Sequence, residues 1–362
     1  MSGGVSLYVY NLSRNLVNKG NVVTVITRGS HRNEKVTEID GIRLFRAPFI
    51  PLFPFHVYIH GLFVQRIVKR LEKSIDVLHL HVPLPPYVDT TLPVLATFHG
   101  LPEYRSLYIH PLTFRSLSEG LFSAVVYNIE KKIVTRANKI ASVSKKSAIE
   151  IEHYFGYNLN NIDIASNGVD SDFFTLNKEE KKEFNILYVG RLDYKKGLID
   201  LVNAGKKIIS NYPNTKFTLV GSGPLLNTLI DIVDRNNIRN SFFFPGHVDQ
   251  KTLRNFYQES SIFILPSYYE GLPNVILEAM ACGLPIISTK VGGIPDVLEN
   301  EKNGLFIPTG DPEAIESAII RLINDADTRK EMGVYSREMV EKHFSWDVVS
   351  NRYLELYQSL LE

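Results

Sequence analysis

Apolar positions follow two rhythms along this chain. Short, nearly continuous apolar runs (VVTVIT, IRLFRA, VLHLHV, VLATFHG and KIASVS) read as strands. The segments between them repeat apolar residues every three to four positions, the spacing of a helix with one buried face. VSLYVYNLSRNLVNKG predicts a helix that stops at Gly20, a residue suited to the left-handed turn after a helix. Further helices are expected over 61–73 and 117–137. A second series starts at residue 184: strands FNILYVG, KFTLVGSG, SFFFPG, SIFILPS and PIIST, with helices over GLIDLVNAGKKIISNY, 224–236, 250–258 and 273–281 between them. Strands alternating with amphipathic helices predict an α/β chain with parallel sheets.

The length, 362 residues, is too great for one ordinary domain. The polar, turn-rich stretch 166–183, SNGVDSDFFTLNKEEKKE, divides the two series. It predicts an N-terminal Rossmann-like domain over 1–165, a linker over 166–183 and a C-terminal Rossmann-like domain over 184–345. A last helix, about 346–362, is expected to cross back to the first domain. Two such domains imply facing sheets and a cleft, with ligands beyond the C-terminal ends of the strands.

Composition narrows the class. Hydrophobic residues make up 44% and charged residues 22%, which suits a folded enzyme and not a disordered chain. A single cysteine, Cys282, excludes an internal disulfide and cysteine-rich metal sites and fits a reducing, cytoplasmic setting. No run approaches the ~20 uninterrupted apolar residues of a membrane span. The most apolar stretch, residues 47–64, contains Pro51 and Pro54 and reads as a loop on the core or as an aromatic surface for a membrane or greasy acceptor. Residues 1–165 carry 19 Lys+Arg and 12 Asp+Glu, a net +7, and the remainder carries 21 and 27, a net −6. The basic half suggests peripheral contact with an anionic membrane face or a phosphorylated acceptor. No nucleic-acid-binding motif accompanies that charge.

The chemistry is expected in the turns after strands. Arg191 and Lys196 follow FNILYVG, and two cations beside a helix start suit a diphosphate; as an isolated pair they also read as solvated surface. Gly221, in GSGP after the next strand, lets a ligand approach the backbone. His247, in PGHV, forms a lip for a nucleobase. Glu270 precedes Pro273, which suits the first helical position, and the N–H groups near Leu272, Asn274 and Val275 are then open to an anion. A carboxylate beside such groups is better used on sugar hydroxyls than on phosphate. Glu278, two turns deeper among apolar neighbours, suits a ribose. His99 ends VLATFHG and is expected to line the cleft. His79 and His81 alternate on one strand face and lack a third metal ligand, so they read as packing or surface residues.

GGVSLYVYNLSRNLVNKGNVVTVIT, ATFHG, SVSKKS, SNGVDSDFF, YVGRLDYKKG, LVGSGP, FPGHV and YYEGLPNVILEAMACGLPIISTKVGGIPDVL together resemble the family-4 retaining glycosyltransferases. The resemblance covers nearly the whole chain and implies the GT-B fold of two facing Rossmann-like domains. It implies a nucleotide-sugar donor, UDP- or GDP-linked, with no further cofactor and no metal; Asp170/Asp172 and Asp325/Asp327 do not form a convincing metal-binding pair. It implies that Arg191 and Lys196 hold the diphosphate, Glu270 the donor sugar and Glu278 the ribose. His99 would line the sugar, and the loop at Gly4 would close on the diphosphate. The acceptor is a glycan, lipid or small molecule, lipid-linked or membrane-proximal on the hints above. One departure stands out: the family has a strand before the Gly-Gly loop, where this chain has only Met1 and Ser2. Either a strand lies upstream, or the first sheet lacks one and leaves an edge unpaired. The competing readings are a non-catalytic subunit of the same fold and another enzyme of that fold, such as a nucleotide-sugar epimerase.

Overall fold

The structure, a computed structural model, describes residues 4–30, 34–53, 55–83, 85–100, 114–176 and 184–362, with side chains 114–121 excepted. Residues 177–183 of the expected linker, and Gly3 of the Gly-Gly loop, lie outside the described residues. The chain forms two compact units, one of residues 1–166 with 349–362 and one of residues 167–348.

The first unit is built on two sheets. In one, β1 (Thr24–Arg28) pairs parallel with β3 (Ile42–Ala47), and β2 (Lys35–Ile39) pairs antiparallel with β3. The other is fully parallel, in the order β4 (Leu78–Val82), β5 (Val94–Phe98), β6 (Lys139–Ser142), β7 (Ile162–Ile164). Among the described residues β1 and β4 are each a terminal strand of their sheet.

α1 (Gly4–Asn18) buries Tyr8, Leu12 and Leu16, one side of a 3.6-residue helix. α2 (His56–Leu71) serves both sheets: Val57 joins the core of Val82, Ala96, Phe98 and Ile129, while Val64, Ile67 and Val68 join Phe45. This corrects the reading of 47–64 as one loop and of a helix beginning at 61. Pro51 and Pro54 bar a helix only up to their own positions. From His56 onward Val57, Gly61, Val64 and Val68 recur at helical spacing and are buried. α3 (Phe114–Arg136) and α4 (Lys145–Phe155) complete the layers.

The second unit is one parallel sheet of six strands: β8 (Phe184–Val189), β9 (Thr215–Val220), β10 (Phe242–Gly246), β11 (Ile262–Leu265), β12 (Ile286–Thr289) and β13 (Gly304–Ile307). Their spatial order is β10-β9-β8-β11-β12-β13. Leu187, Leu219, Ile264 and Ile287 are fully buried, and the strands read as unbroken apolar runs because helices cover both faces of a parallel sheet. The order doubles back between β8 and β11, so the helices that follow them run to opposite sides and leave a crevice at the strand ends. α5 (Leu198–Asn211), α6 (Leu226–Arg235), α7 (Gln250–Glu259) and α8 (Asn274–Ala281) connect the strands, followed by α9 (Pro312–Asn324) and α10 (Ala326–Met339). α11 (Trp346–Leu361) ends the chain, and from Val349 on it belongs to the first unit.

Candidate functional site

The turns leaving β8 and β11 meet at the point where the sheet order reverses. After β8, Asp193 caps a one-turn 3-10 segment, Tyr194–Lys196, accepting from the Lys195 N–H at 3.0 Å. That turn delivers Lys196 to Glu270, which follows β11: Lys196 Nζ lies 2.6 Å from Glu270 Oε1. The Ser267 hydroxyl donates to the same oxygen at 2.7 Å. The pair is largely desolvated, with the two side chains 21% and 9% exposed. A buried ion pair of this kind needs extra hydrogen bonds to offset its desolvation, and Ser267 supplies one.

The Glu270 turn is braced on both sides. The Tyr268 N–H donates to the Lys195 carbonyl at 2.8 Å, and the Thr289 hydroxyl donates to the Ser267 carbonyl at 2.6 Å. The Gly293 N–H donates to the Gly271 carbonyl at 2.6 Å. Gly292 sits at φ +57 directly beneath, where a Cβ would collide with the Glu270 carbonyl, so only glycine lets these backbones approach. Gly221 has the same role after β9: at φ +133 its missing Cβ leaves room for the Gly190 carbonyl, and its N–H donates to the Gly246 carbonyl at 2.9 Å.

α8 starts one residue later than the sequence suggests. Pro273 is extended, at φ −77 and ψ 118, and occupies the cap position, so no side chain caps the helix. Its first N–H groups therefore lack a side-chain cap. Leu272 is buried there, while Asn274 and Val275 are half-buried. Glu278 lies a turn deeper and accepts from the buried Tyr257 hydroxyl at 2.9 Å. Burial pushes the Glu278 carboxyl up to about 7, against the opposing pull of the Tyr257 hydrogen bond. Arg191 stands apart: its side chain is 71% exposed and its Nε lies 3.5 Å from Asp193. His247, just past β10, is exposed.

His99 and Gly4 belong to the first unit. Gly4 opens α1 and is exposed. His99 follows β5, with its Nε2 3.0 Å from His81 Nδ1 and its ring edge-on to Tyr8 at 4.5 Å. His79 contacts the Tyr357 hydroxyl through Nδ1 and the Thr97 hydroxyl through Nε2, both at 2.7 Å. Tyr353 of α11 meets Tyr8 at 2.8 Å and Thr97 at 3.2 Å. Burial lowers all three histidines, His79 to about 3, His99 to about 4 and His81 well below the usual range. They are therefore neutral near pH 7. Among the described residues no group of three or more His, Cys, Asp or Glu side chains is arranged to hold a metal ion.

Sequence reasoning singled out Lys196 and Glu270 but assigned them to different parts of a ligand, not to each other. It passed over Ser267 and Tyr257. Ser267 had a weak signal, a hydroxyl between a strand end and a glutamate, whereas Tyr257 lies 21 residues from Glu278 with no local cue.

The family models agree with this architecture. Residues 2–173 match the model for Glycosyltransferase Family 4, and residues 170–339 match that for Glycosyl transferases group 1. A capsular polysaccharide biosynthesis glycosyltransferase of Staphylococcus aureus is 30% identical over 316 residues, covering 82% of each chain. An uncharacterized glycosyltransferase of Methanocaldococcus jannaschii is 26% identical over 384 residues, covering 99% of this chain and 95% of its own. Among solved structures, sucrose-phosphate synthase from Thermosynechococcus elongatus superposes with a TM-score of 0.81 at 24% identity, covering 99% of this chain and 94% of its own. The chain belongs to the family-4 glycosyltransferases and is a transferase enzyme of the GT-B fold.

Proposed function

We propose that the protein moves a hexosyl group from a UDP- or GDP-linked sugar to an acceptor hydroxyl, with retention of configuration and without a divalent metal. The observation that carries this reading is the Lys196–Glu270 pair at 2.6 Å where the sheet order reverses, beside the uncapped start of α8. A diphosphate entering there takes over Lys196, and Glu270 is released to accept from a sugar hydroxyl. Negative charge grows on the leaving phosphate as the glycosidic bond breaks. Lys196 and the α8 N–H groups stabilise it where it develops; Arg191, exposed and tethered only at 3.5 Å, is free to swing onto it. One preorganised donor of this kind is worth roughly 3–4 kcal/mol of barrier. The acceptor oxygen attacks C1 on the face the diphosphate leaves, and the departing phosphate oxygen takes the acceptor proton. Glu278 holds the ribose, and Gly221 and His247 flank the nucleobase.

The acceptor reading follows surface chemistry. Ile50, Leu52, Phe53, Phe55, Tyr58 and Leu62 are exposed. Arg66 and Lys69, with Lys73 just past the helix, continue the exposed α2 face of Tyr58 and Leu62, which the exposed Phe55 precedes. Apolar residues followed by basic ones suit an anionic lipid surface, and this supports a lipid-linked acceptor. No helix among the described residues is long and apolar enough to cross a membrane. A panel of UDP- and GDP-hexoses assayed in EDTA, with the product anomer assigned by NMR, tests the reaction. Donor turnover giving an α-linked product from an α-linked donor is expected. Inversion, or turnover only with added metal, contradicts the proposal.

A further inference from the structure

Asn167 is polar, only 7% exposed, and makes contacts far from its own position in sequence. Its Nδ2 donates to the Leu272 carbonyl at 2.8 Å and to Asn274 Oδ1 at 2.7 Å. The first contact orients everything else. A backbone carbonyl only accepts, so the Asn167 atom facing it is the amide nitrogen. That nitrogen also meets Asn274, so the Asn274 atom facing it is the oxygen. The Asn274 nitrogen is thereby turned to the opposite prong, as a donor at the first residue of α8.

The two residues after Asn167 are tied down. The Val169 N–H donates to the Phe344 carbonyl at 2.8 Å, and the Trp346 N–H donates to the Val169 carbonyl at 3.2 Å. The Gly168 backbone lies against the Trp346 ring, with room for no Cβ: one would sit 2.6 Å from the ring. A side chain on so fixed a backbone can hold a neighbour to the tolerance that binding sites need. Turning Nδ2 toward α8 leaves the other prong of Asn167 unpaired. Asn167 Oδ1 is buried with no hydrogen-bond partner. Leaving such an acceptor unpaired costs about 1–3 kcal/mol, so its retention calls for an explanation.

We infer that Asn167 is a positioning residue of the donor site: it orients the Asn274 carboxamide so that Nδ2, together with the first N–H groups of α8, faces the donor diphosphate. This rests on the reading of the α8 end as the diphosphate site. Asn274 is then a direct ligand through its side chain, beyond the backbone N–H that the sequence suggested, and Asn167 acts through it.

Titration calorimetry with UDP and with GDP, well below the unfolding temperature, tests this on six proteins: wild type, Asn167→Ala, Asn274→Ala, the double variant, Asn274→Asp and Lys196→Ala. Asn167→Ala and Asn274→Ala should each weaken binding about tenfold, and the double variant should be no weaker than the worse single, because both remove one oriented donor. Asn274→Asp keeps the hydrogen bond to Asn167 yet turns an oxygen toward the phosphates, and should lose more than either alanine. Wild-type affinity in Asn167→Ala, or fully additive losses, overturns the inference while loss in Lys196→Ala leaves the donor site standing. Unchanged affinity in both Asn167→Ala and Lys196→Ala overturns both. If Asn167→Ala unfolds, Asn274→Asp decides alone: its unfolding midpoint should match wild type, and unweakened binding overturns the inference.

Discussion

At the scale of single residues, the two glutamates of SYYEGLPNVILEAMACGLPIIST sit in different electrostatic surroundings. Glu270 faces an ammonium at 2.6 Å, whereas Glu278 has a tyrosine hydroxyl and apolar neighbours. The Glu278 carboxyl is raised from 4.5 to about 7 by burial. A raised acid favours the folded state while it is protonated. Its contribution is full below about pH 4.5 and is lost as pH rises through about 7, amounting to about 3 kcal/mol at most. Glu278→Gln removes that term, so urea unfolding should show the variant gaining stability relative to wild type between pH 4.5 and 8. A stability difference independent of pH would show that Glu278 titrates normally. The apolar company of Glu278 was legible from its neighbours in sequence. Its partner was not, because Tyr257 reaches it only after α7 and α8 are packed on β11.

At the scale of elements, strands were more legible than helix ends. The strand runs of the second unit are apolar because parallel strands are buried on both faces, and β3 of the first unit falls at the residues its pattern marks, Ile42–Ala47. β2, β7 and β13 went unread: they are three to five residues long and sit at sheet edges, where the apolar signal is weak. α2 was legible only in its second half, because the prolines before it masked where its periodicity begins. The exposed face of α2 carries its own prediction. Each Lys or Arg near an anionic surface contributes about 1 kcal/mol. In flotation with phosphatidylglycerol-containing vesicles, Lys69→Gln and Lys73→Gln should each weaken binding about fivefold, and Phe55→Ser with Leu62→Ser should abolish it. Equal binding to neutral and anionic vesicles would remove the basic face from the account.

At the scale of the whole molecule, two Rossmann-like units and a helix returning to the first were legible from the alternation of strands and helices. The sheet order was not, because order depends on which way each crossover packs and leaves no local mark in sequence. Yet that order is what makes a site of Lys196 and Glu270. They lie 74 positions apart and meet because β8 and β11 are neighbours in the sheet. The charge division of the chain, +7 against −6, runs along the same boundary as the two series of strands. The central claim is that this meeting point binds a nucleoside diphosphate. The direct measurement is calorimetric titration of UDP and GDP into wild type and Lys196→Ala, in EDTA. Binding of one of the two to wild type is expected, with at least a tenfold loss in the variant. Equal affinity in the two proteins would contradict it.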